Sequence, residues 1–234
     1  MNTNLIHYRA QESHALITID HGKVNAISHE VIDELNQCLD QAEIDNKVVI
    51  LTGKEGVLSG GYDLKVMTKS ADSAKELVTK GSKLSLRMLA FPLPIIIACP
   101  GHAIAKGAFL LLSADYRLGT EGDFKIGLNE VMIGMTMHNA GIEIAKGRLA
   151  PVFFERSVNN SELYNPKDAI TAGFLDQVVP RTHLIPTAIK IAEMFSKLHK
   201  KAHAETKVKL RSPYLNRIKA AIELDLKADI TINS

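Results

Sequence analysis

The most apolar stretch of the chain, residues 93–114, constrains the fold more than any other feature of the sequence. A membrane-spanning helix needs about 20 apolar residues, so the stretch is long enough to raise that question. Pro94, Pro100 and Gly101 interrupt it, and Lys106 places a charge inside it. Because proline and glycine end regular elements, the stretch predicts a short strand, a turn and a short helix. We expect all three to be buried in the core of a globular domain, with no membrane segment.

Length and composition fit one globular core domain. The chain has 234 residues, of which 46% are hydrophobic and 23% are charged, the balance of a packed protein rather than a disordered one. A formal charge of +2 gives no indication of a nucleic-acid partner. Residues 1–8 lack the basic and apolar regions of a signal peptide, which predicts a cytoplasmic location. Cys38 and Cys99 are expected to pack as free thiols.

Hydrophobic periodicity predicts alternating strands and helices, the pattern of an α/β (α+β) fold. Ser28 is a candidate N-cap for a helix that runs to about Glu43. Asn165 and Pro166 form a helix start, and Gly173 is the expected stop of that helix. The other predicted elements are strands at 5–9, 15–20, 47–52, 95–98, 116–118 and 177–179 and helices at 73–90 and 107–113.

The chain is almost wholly helical in character after Thr182. Apolar residues of this region lie on one predicted helical stripe, namely Leu184, Ala188, Ile191, Ala192, Phe195 and Leu198. Such a stripe predicts helices that cover apolar surface. We therefore divide the chain into a core, residues 1–181, and a helical C-terminal region, residues 182–234. The polar residues 225–234 are expected to fray.

Two segments of small residues each follow a predicted buried strand: residues 58–64 (LSGGYDL) and residues 100–108 (PGHAIAKGA). Glycine lets another group approach the backbone closely, and unpaired N–H groups in such turns, or at the start of a helix, stabilise an oxyanion. A tight turn without a function explains either segment taken alone. The spacing of Gly56 and Gly61 matches the opening of a phosphate loop, but Tyr62 and Asp63 replace its lysine and hydroxyl residues, which excludes a nucleotide triphosphatase.

Glu130 is a carboxylate within the otherwise apolar segment 124–134 (FKIGLNEVMIG). Apolar surroundings raise the pKa of a carboxyl group, which can then accept and return a proton near neutral pH. The alternative is a surface glutamate on a loop. The sequence around Glu130 alone leaves both interpretations open.

In this order, the two small-residue segments and the Glu130 segment resemble the crotonase superfamily of enoyl-CoA hydratases and isomerases. The resemblance extends from Asn25-Ala26 to residues 176–180 (DQVVP). It implies a spiral of ββα units in the core and a C-terminal region used for assembly as a trimer or a dimer of trimers. It also implies an acyl-CoA thioester substrate, with CoA as part of the substrate and no separate cofactor.

The resemblance assigns roles residue by residue. The backbone N–H groups of Tyr62 and Lys106 match the two oxyanion donors, and Glu130 matches one of two catalytic glutamates found in the hydratases. Phe109 stands at the position of the other glutamate. The remaining residues expected at the substrate or at CoA are Gly60, Gly61, Leu64 and Gly107, of which Gly60 and Leu64 are expected near the adenine.

Phe109 favours one reaction over another. Adding water to a double bond is most efficient with two carboxylates, whereas moving a double bond needs one base and an oxyanion hole. The segment 126–130 (IGLNE) also resembles the mitochondrial 3,2-enoyl-CoA isomerases. We therefore expect an isomerase that converts 3-enoyl-CoA to 2-enoyl-CoA. There are two alternatives: an enoyl-CoA hydratase, which is a lyase of the fatty acid β-oxidation type, or a catalytically inactive homologue that binds acyl-CoA.

A few histidines and lysines have competing interpretations. His199 and His203 have a helical spacing that suits zinc, but the lysines around them favour a solvated helix face, and no metal is predicted. His102 and His138 flank the proposed site in sequence and are expected to pack. Lys207 is in a helix that could meet a CoA phosphate, although solvated surface is the expectation.

Overall fold

The computed structural model describes residues 5–230, which contain two β-sheets. The strands are β1 (Ile6–Ala10), β2 (His14–Ile19), β3 (Val48–Thr52), β4 (Gly56–Ser59), β5 (Ile95–Cys99), β6 (Gly101–Ile104), β7 (Tyr116–Thr120), β8 (Ile126–Gly127), β9 (Leu163–Tyr164) and β10 (Gln177–Val179). The larger sheet has the order β1-β2-β3-β5-β7-β10, and the smaller has the order β4-β6-β8-β9. All neighbours are parallel except the hairpin of β1 with β2 and the pair β8 with β9.

Helices alternate with these strands. They are α1 (His29–Ile44), α2 (Leu64–Met67), α3 (Ala71–Ala90), α4 (Lys106–Leu112), α5 (Asn139–Lys146), α6 (Pro151–Val158), α7 (Pro166–Ala172), α8 (Leu184–Ser196) and α9 (Lys200–Asp225). The parallel sheets with their helical crossovers confirm the predicted α/β class. Each predicted helix and strand lies within a few residues of its observed bounds.

The helix caps predicted from the sequence are confirmed. The Ser28 side chain accepts a hydrogen bond from the Val31 N–H at 3.3 Å, at the start of α1. Asn165 caps α7 in the same way, and Gly173 ends that helix with a φ of +97°. Side-chain oxygens at an N-cap satisfy N–H groups that the first helical turn leaves free. These boundaries are therefore set by local chemistry.

The apolar segment 93–114 lies in the core, as predicted. Every residue of β5 and of α4 is buried. No helix among residues 5–230 combines the length and the apolar character that crossing a membrane requires.

One detail of this segment was predicted wrongly. Its expected turn contains strand β6, which pairs in parallel with β4. The two strands approach closely because Gly101 has no side chain: a Cβ there would collide with the carbonyl group of Gly56. This pairing brings the two small-residue segments side by side.

The C-terminal helices cover two different surfaces. Leu184, Ala188 and Ala192 of α8 pack on one face of the larger sheet, whereas α9 packs against α3 and α5. The expected fraying at 225–234 is wrong for Asp225, which is buried and accepts hydrogen bonds from the start of α5, and for Ile230, which is buried. Residues 231–234 lie outside the described residues.

Lys207 is not on the solvated surface. Its side chain is buried, and it donates hydrogen bonds to the carbonyl groups of Phe91 and Leu93 and to the carboxylate of Asp115. A buried carboxylate partner offsets the free-energy cost of removing a lysine from water. This partner is 92 residues away in sequence, so no local pattern reveals it.

Candidate active site

The two small-residue segments meet at the ends of β4 and β6. A Cβ on Gly61 would lie 3.0 Å from the Cβ of Ala105 and 3.8 Å from the amide nitrogen of Lys106. Both turns have positive φ angles, +109° at Gly61 and +50° at Ala105. Left-handed backbone is strained at alanine, and such strain occurs most often at functional sites. The structure thus brings the two predicted oxyanion segments together.

Backbone hydrogen bonds hold the first segment in place and leave one N–H group free. Ile27 donates to the Gly61 carbonyl at 2.8 Å, and Asp63 donates to the Ile27 carbonyl at 3.0 Å. Tyr62 lies between Gly61 and Asp63 in sequence, and its backbone N–H donates no hydrogen bond to any of the residues 5–230. The same holds for Lys106, whose N–H has no acceptor because it opens α4. Unpaired N–H groups of this kind are the donors that an oxyanion requires.

A cavity of about 330 Å³ lies beside these turns. It is lined by Gly60, Gly61, Tyr62, Leu64, Met67, Thr68, Ala105, Asn129, Glu130, Ile133 and Met135. Leu64 is 60% exposed, whereas Glu130 is only 3% exposed. Most of the described lining residues are apolar, and Glu130 supplies the one carboxyl group among them.

Glu130 is held where its carboxyl group stays out of water. Its carbonyl accepts a hydrogen bond from the Met135 N–H at 2.9 Å, which closes the short 3-10 turn Val131–Ile133, and Gly134 ends that turn with a φ of +78°. The Oε2 atom is buried and has no hydrogen-bond partner among the described residues. Burial raises the pKa of this carboxyl group to about 7. A group with that pKa can take up and release a proton near neutral pH.

Lys106, Gly107 and Phe109 are absent from the described lining of this cavity, although Ala105, which directly precedes Lys106, lines it. A Cβ on Gly107 would collide with the carbonyl of Ser59, so Gly107 lets α4 pack closely on the end of β4. Phe109 is buried, and its ring meets the ring of His138 edge-on at a centroid distance of 5.4 Å. Burial lowers the pKa of His138, so its neutral imidazole is favoured and packs as an aromatic ring. The structure gives Gly107 and Phe109 packing roles, and their expected contact with the substrate stays a prediction.

Sequence reasoning missed six of the lining residues, namely Met67, Thr68, Ala105, Asn129, Ile133 and Met135. Asn129 and Ala105 directly precede predicted site residues, so their position in the chain was a usable signal. The two methionines come from α2 and from the loop before α5, and only tertiary packing brings them to Glu130. The Oδ1 atom of Asn129 is buried without a partner among the described residues.

A larger groove of about 1,070 Å³ lies apart from Glu130, between the edge of β2 and β3 and helix α8. Its rim carries charges of both signs, including Lys47, Lys197, Glu12 and Glu193. None of the described residues that line it belongs to the two small-residue segments or to the Glu130 segment. The smaller cavity is therefore the better candidate site, because unpaired N–H groups and a carboxyl group with a raised pKa converge there.

The histidines take structural positions. The Nδ1 atom of His199 accepts a hydrogen bond from the Ala202 N–H as the N-cap of α9. His102 accepts from the Lys125 N–H at 3.0 Å and packs edge-on against Phe124. Between residues 5 and 230, no cluster of three or more histidine, cysteine, aspartate or glutamate side chains is arranged to hold a metal ion.

Comparison with known proteins identifies the family of the chain. The sequence profile described as enoyl-CoA hydratase/isomerase matches residues 9–231. A crystal structure of an enoyl-CoA hydratase/isomerase family protein from Pseudomonas syringae has 55% sequence identity and a TM-score of 0.95, over 96% of this chain and 98% of that chain. The structure of an enoyl-CoA isomerase from Mycobacterium tuberculosis has 35% identity and a TM-score of 0.91, over 96% and 98% of the two chains.

A curated relative has a different activity in its name. A probable enoyl-CoA hydratase of Bacillus subtilis is 30% identical over 176 residues, which are 74% of this chain and 68% of the relative. The fold and the cavity thus define an acyl-CoA enzyme of crotonase type. The chain belongs to the enoyl-CoA hydratase/isomerase family, and the resemblance predicted from its sequence is confirmed.

Proposed function

We propose that this protein is an enoyl-CoA isomerase that moves the double bond of 3-enoyl-CoA to the 2 position. The observation that carries the proposal is the lining of the 330 Å³ cavity, in which Glu130 is the only carboxylate among the described residues. One base and an oxyanion hole suffice to shift a double bond, whereas efficient hydration uses two carboxylates. The position at which hydratases carry the second glutamate is occupied here by the buried Phe109.

The chemistry follows from the positions of the donors and the base. The thioester oxygen of the substrate accepts hydrogen bonds from the N–H groups of Tyr62 and Lys106. The Glu130 carboxylate removes a proton from the α carbon, the electrons pass to the thioester oxygen, and an enolate forms. Glu130 then returns the proton to the γ carbon, and the electrons of the enolate form the new double bond at the 2 position. The two N–H groups stabilise the enolate, in which the negative charge is largest.

The CoA part is assigned to the outer end of the cavity. Leu64 is exposed, and both Leu64 and Gly60 line the cavity, which supports the expected positions of both residues near the adenine. Gly61 belongs to the same turn and also lines the cavity. No role for a separate cofactor is proposed.

Hydratase activity is the second candidate, because the Bacillus subtilis relative is named a probable enoyl-CoA hydratase. Phe109 counts against it, since phenylalanine neither positions water nor transfers a proton. A catalytically inactive acyl-CoA-binding protein is the third candidate. The Oε2 atom of Glu130, which has no partner among the described residues, counts against the inactive homologue. Burying a carboxyl group without a partner lowers stability, and proton transfer gives a reason for keeping such a group.

Kinetic comparison on matched thioesters tests the proposal. The rate of conversion of 3-enoyl-CoA to 2-enoyl-CoA should exceed the rate of hydration of 2-enoyl-CoA, measured over a panel of acyl chain lengths. Hydration without isomerisation would refute the isomerase assignment. Binding of the thioesters without turnover of any would favour the inactive homologue.

We also propose assembly into trimers or dimers of trimers, with a cytoplasmic location. The exposed apolar side chains of Met132, Val152 and Leu210 support an oligomer, because large apolar groups are commonly covered by a partner. Sedimentation at micromolar protein concentration measures the state directly. A strictly monomeric profile would contradict this assembly.

A further inference from the structure

Lys106 contributes a side chain that the proposed reaction does not yet use. Its amino group is fully buried, and it donates hydrogen bonds to the Gly81 carbonyl and to the Ser85 hydroxyl, both at 2.6 Å and both on α3. Burial lowers the pKa of this amino group to about 7, and no carboxylate within residues 5–230 forms an ion pair with it. Burying an amine without a carboxylate is unfavourable, and an apolar side chain of the same length would fill the space at less cost.

Tyr62 reaches the same place on α3 from the other small-residue segment. A Cβ on Gly81 would collide with the phenol oxygen of Tyr62, so the ring lies directly against this glycine. The phenol oxygen is also 3.4 Å from the carbonyl of Val78, one turn earlier on the helix. The side chains of the two residues whose N–H groups point to the proposed oxyanion therefore converge on Gly81.

The backbone beside Lys106 needs such an anchor. Ala105 has a φ of +50° and a ψ of −118°, a conformation that L-amino acids adopt at a cost of about 1 to 3 kcal/mol. The peptide between Ala105 and Lys106 carries the N–H group in question, so any relaxation of this strain turns that N–H group. Hydrogen bonds from the Lys106 amino group to a 20-residue helix oppose the relaxation.

We propose that the Lys106 side chain is a positioning group, which fixes the Lys106 N–H relative to the Tyr62 N–H by fastening both turns to Gly81 and Ser85 of α3. This role rests on the proposed function, in which these two N–H groups bind the thioester oxygen. A hydrogen bond to that oxygen strengthens as the enolate forms, so a misdirected donor destabilises the transition state more than the bound substrate. Loss of the anchor should therefore lower kcat and leave KM almost unchanged.

The test compares Lys106→Met, which keeps the length of the side chain and removes its donors, with Lys207→Met. Lys207 is the control, because it is also buried and also donates hydrogen bonds to backbone carbonyls, but it pairs in addition with Asp115 and belongs to neither small-residue segment. Lys106→Met should lower kcat by about 10- to 100-fold, the range for a weakened oxyanion donor, with KM within about threefold. Lys207→Met should lower the thermal midpoint and keep kcat within about threefold of the wild type.

A spectroscopic measurement separates this role from a general loss of stability. The carbonyl stretching band of bound butyryl-CoA, isotopically labelled at the carbonyl carbon, should move to lower frequency in the wild type and partly back towards the free value in Lys106→Met. Ser85→Ala removes one acceptor without touching Lys106, and it should shift the band and kcat in the same direction by a smaller amount. Ser85→Ala also tests the positioning role if Lys106→Met does not fold.

The outcomes are distinct. A wild-type band without any shift would refute the oxyanion site, and with it the proposed function. A shifted wild-type band that stays unchanged in Lys106→Met, or in Ser85→Ala where the first variant does not fold, would refute the positioning role alone. The positioning role would be supported if the variant shows a lower kcat, an unchanged KM and a carbonyl band moved back towards the free value.

Discussion

Glu130 and Asp225 are both almost fully buried carboxylates, 3% and 2% exposed, but their oxygens have opposite surroundings. Asp225, at the end of α9, accepts hydrogen bonds from the backbone and side-chain amides of Asn139 at 2.7 and 2.8 Å and from the Ala140 N–H at 2.9 Å. Glu130 has a buried oxygen with no partner among the described residues. Burial alone therefore does not distinguish the two carboxylates, and the missing partner is what makes Glu130 the candidate.

The difference has a direct physical consequence. Three amide donors replace the water that Asp225 loses on folding, and hydrogen bonds to an ionised group are about twice as strong as neutral ones. Asp225 therefore joins α9 to the start of α5. The Oε2 atom of Glu130 has no such donors. A hydrogen bond to its own backbone only partly offsets the rise in the pKa of Glu130 that burial causes, and the raised pKa suits a proton carrier.

The largest expected effect concerns activity at Glu130. Glu130→Gln keeps the shape of the side chain and removes its basicity, so isomerase turnover should fall by about 100-fold or more, the scale for loss of a general base. Binding of a saturated acyl-CoA, measured by calorimetry, should stay unchanged. Turnover close to that of the wild type would assign the proton transfer to another group.

Asp225→Asn should affect stability rather than chemistry. The variant replaces one acceptor oxygen with an NH₂ group that faces the N–H groups of α5, so buried donors lose their partner. The free energy of unfolding should fall by about 2 kcal/mol in urea titrations, as expected for a broken buried hydrogen-bond cluster. The kcat of the folded variant should remain within about threefold of the wild type, a change of less than 1 kcal/mol in the barrier. A large fall in kcat with unchanged stability would reverse the comparison.

The smallest expected effect is a pH dependence of stability that Glu130 alone should contribute. Its pKa in the folded state, about 7, lies above the ordinary value of 4.5. Between these values the folded protein holds a proton that the unfolded chain releases, so this contribution falls as pH rises and becomes constant above about pH 7. Between about pH 5.5 and 6.5, the wild type should lose roughly 1 kcal/mol of stability relative to Glu130→Gln. Parallel curves for the two proteins would show that the carboxyl titrates normally.

Local chemistry explains which features could be predicted from the sequence. The caps at Ser28 and Asn165 and the stop at Gly173 depend on neighbouring residues, and all three were predicted. The pairing of β4 with β6 was missed, because it depends on the close approach of Gly101 to the backbone of Gly56, which is 45 residues away in sequence. Distant partners equally determine the burial of Lys207 and Asp225.

The candidate site divides in the same way. Tyr62, Lys106 and Glu130 were predicted from three ordered segments, and the structure places their segments around one cavity or directly beside it. The expected contact of Phe109 with the substrate stays a prediction, and its ring packs against His138. A sequence position identifies which residue occupies a site in the family, whereas the direction of its side chain depends on neighbours such as Gly141, which leaves room for that ring.

The parallel order of β4, β6 and β8 also determines when the cavity can form during synthesis. Parallel strands cannot be joined by a tight turn, so each pairing in the smaller sheet closes a long loop of chain first. Contacts between residues distant in sequence form slowly, because the entropy of loop closure opposes them. A nascent chain that ends before Ile126 therefore has both glycine-rich turns but no Glu130 opposite them, and it exposes apolar strand surface at that stage. Chaperone dependence during translation should be greatest over this interval.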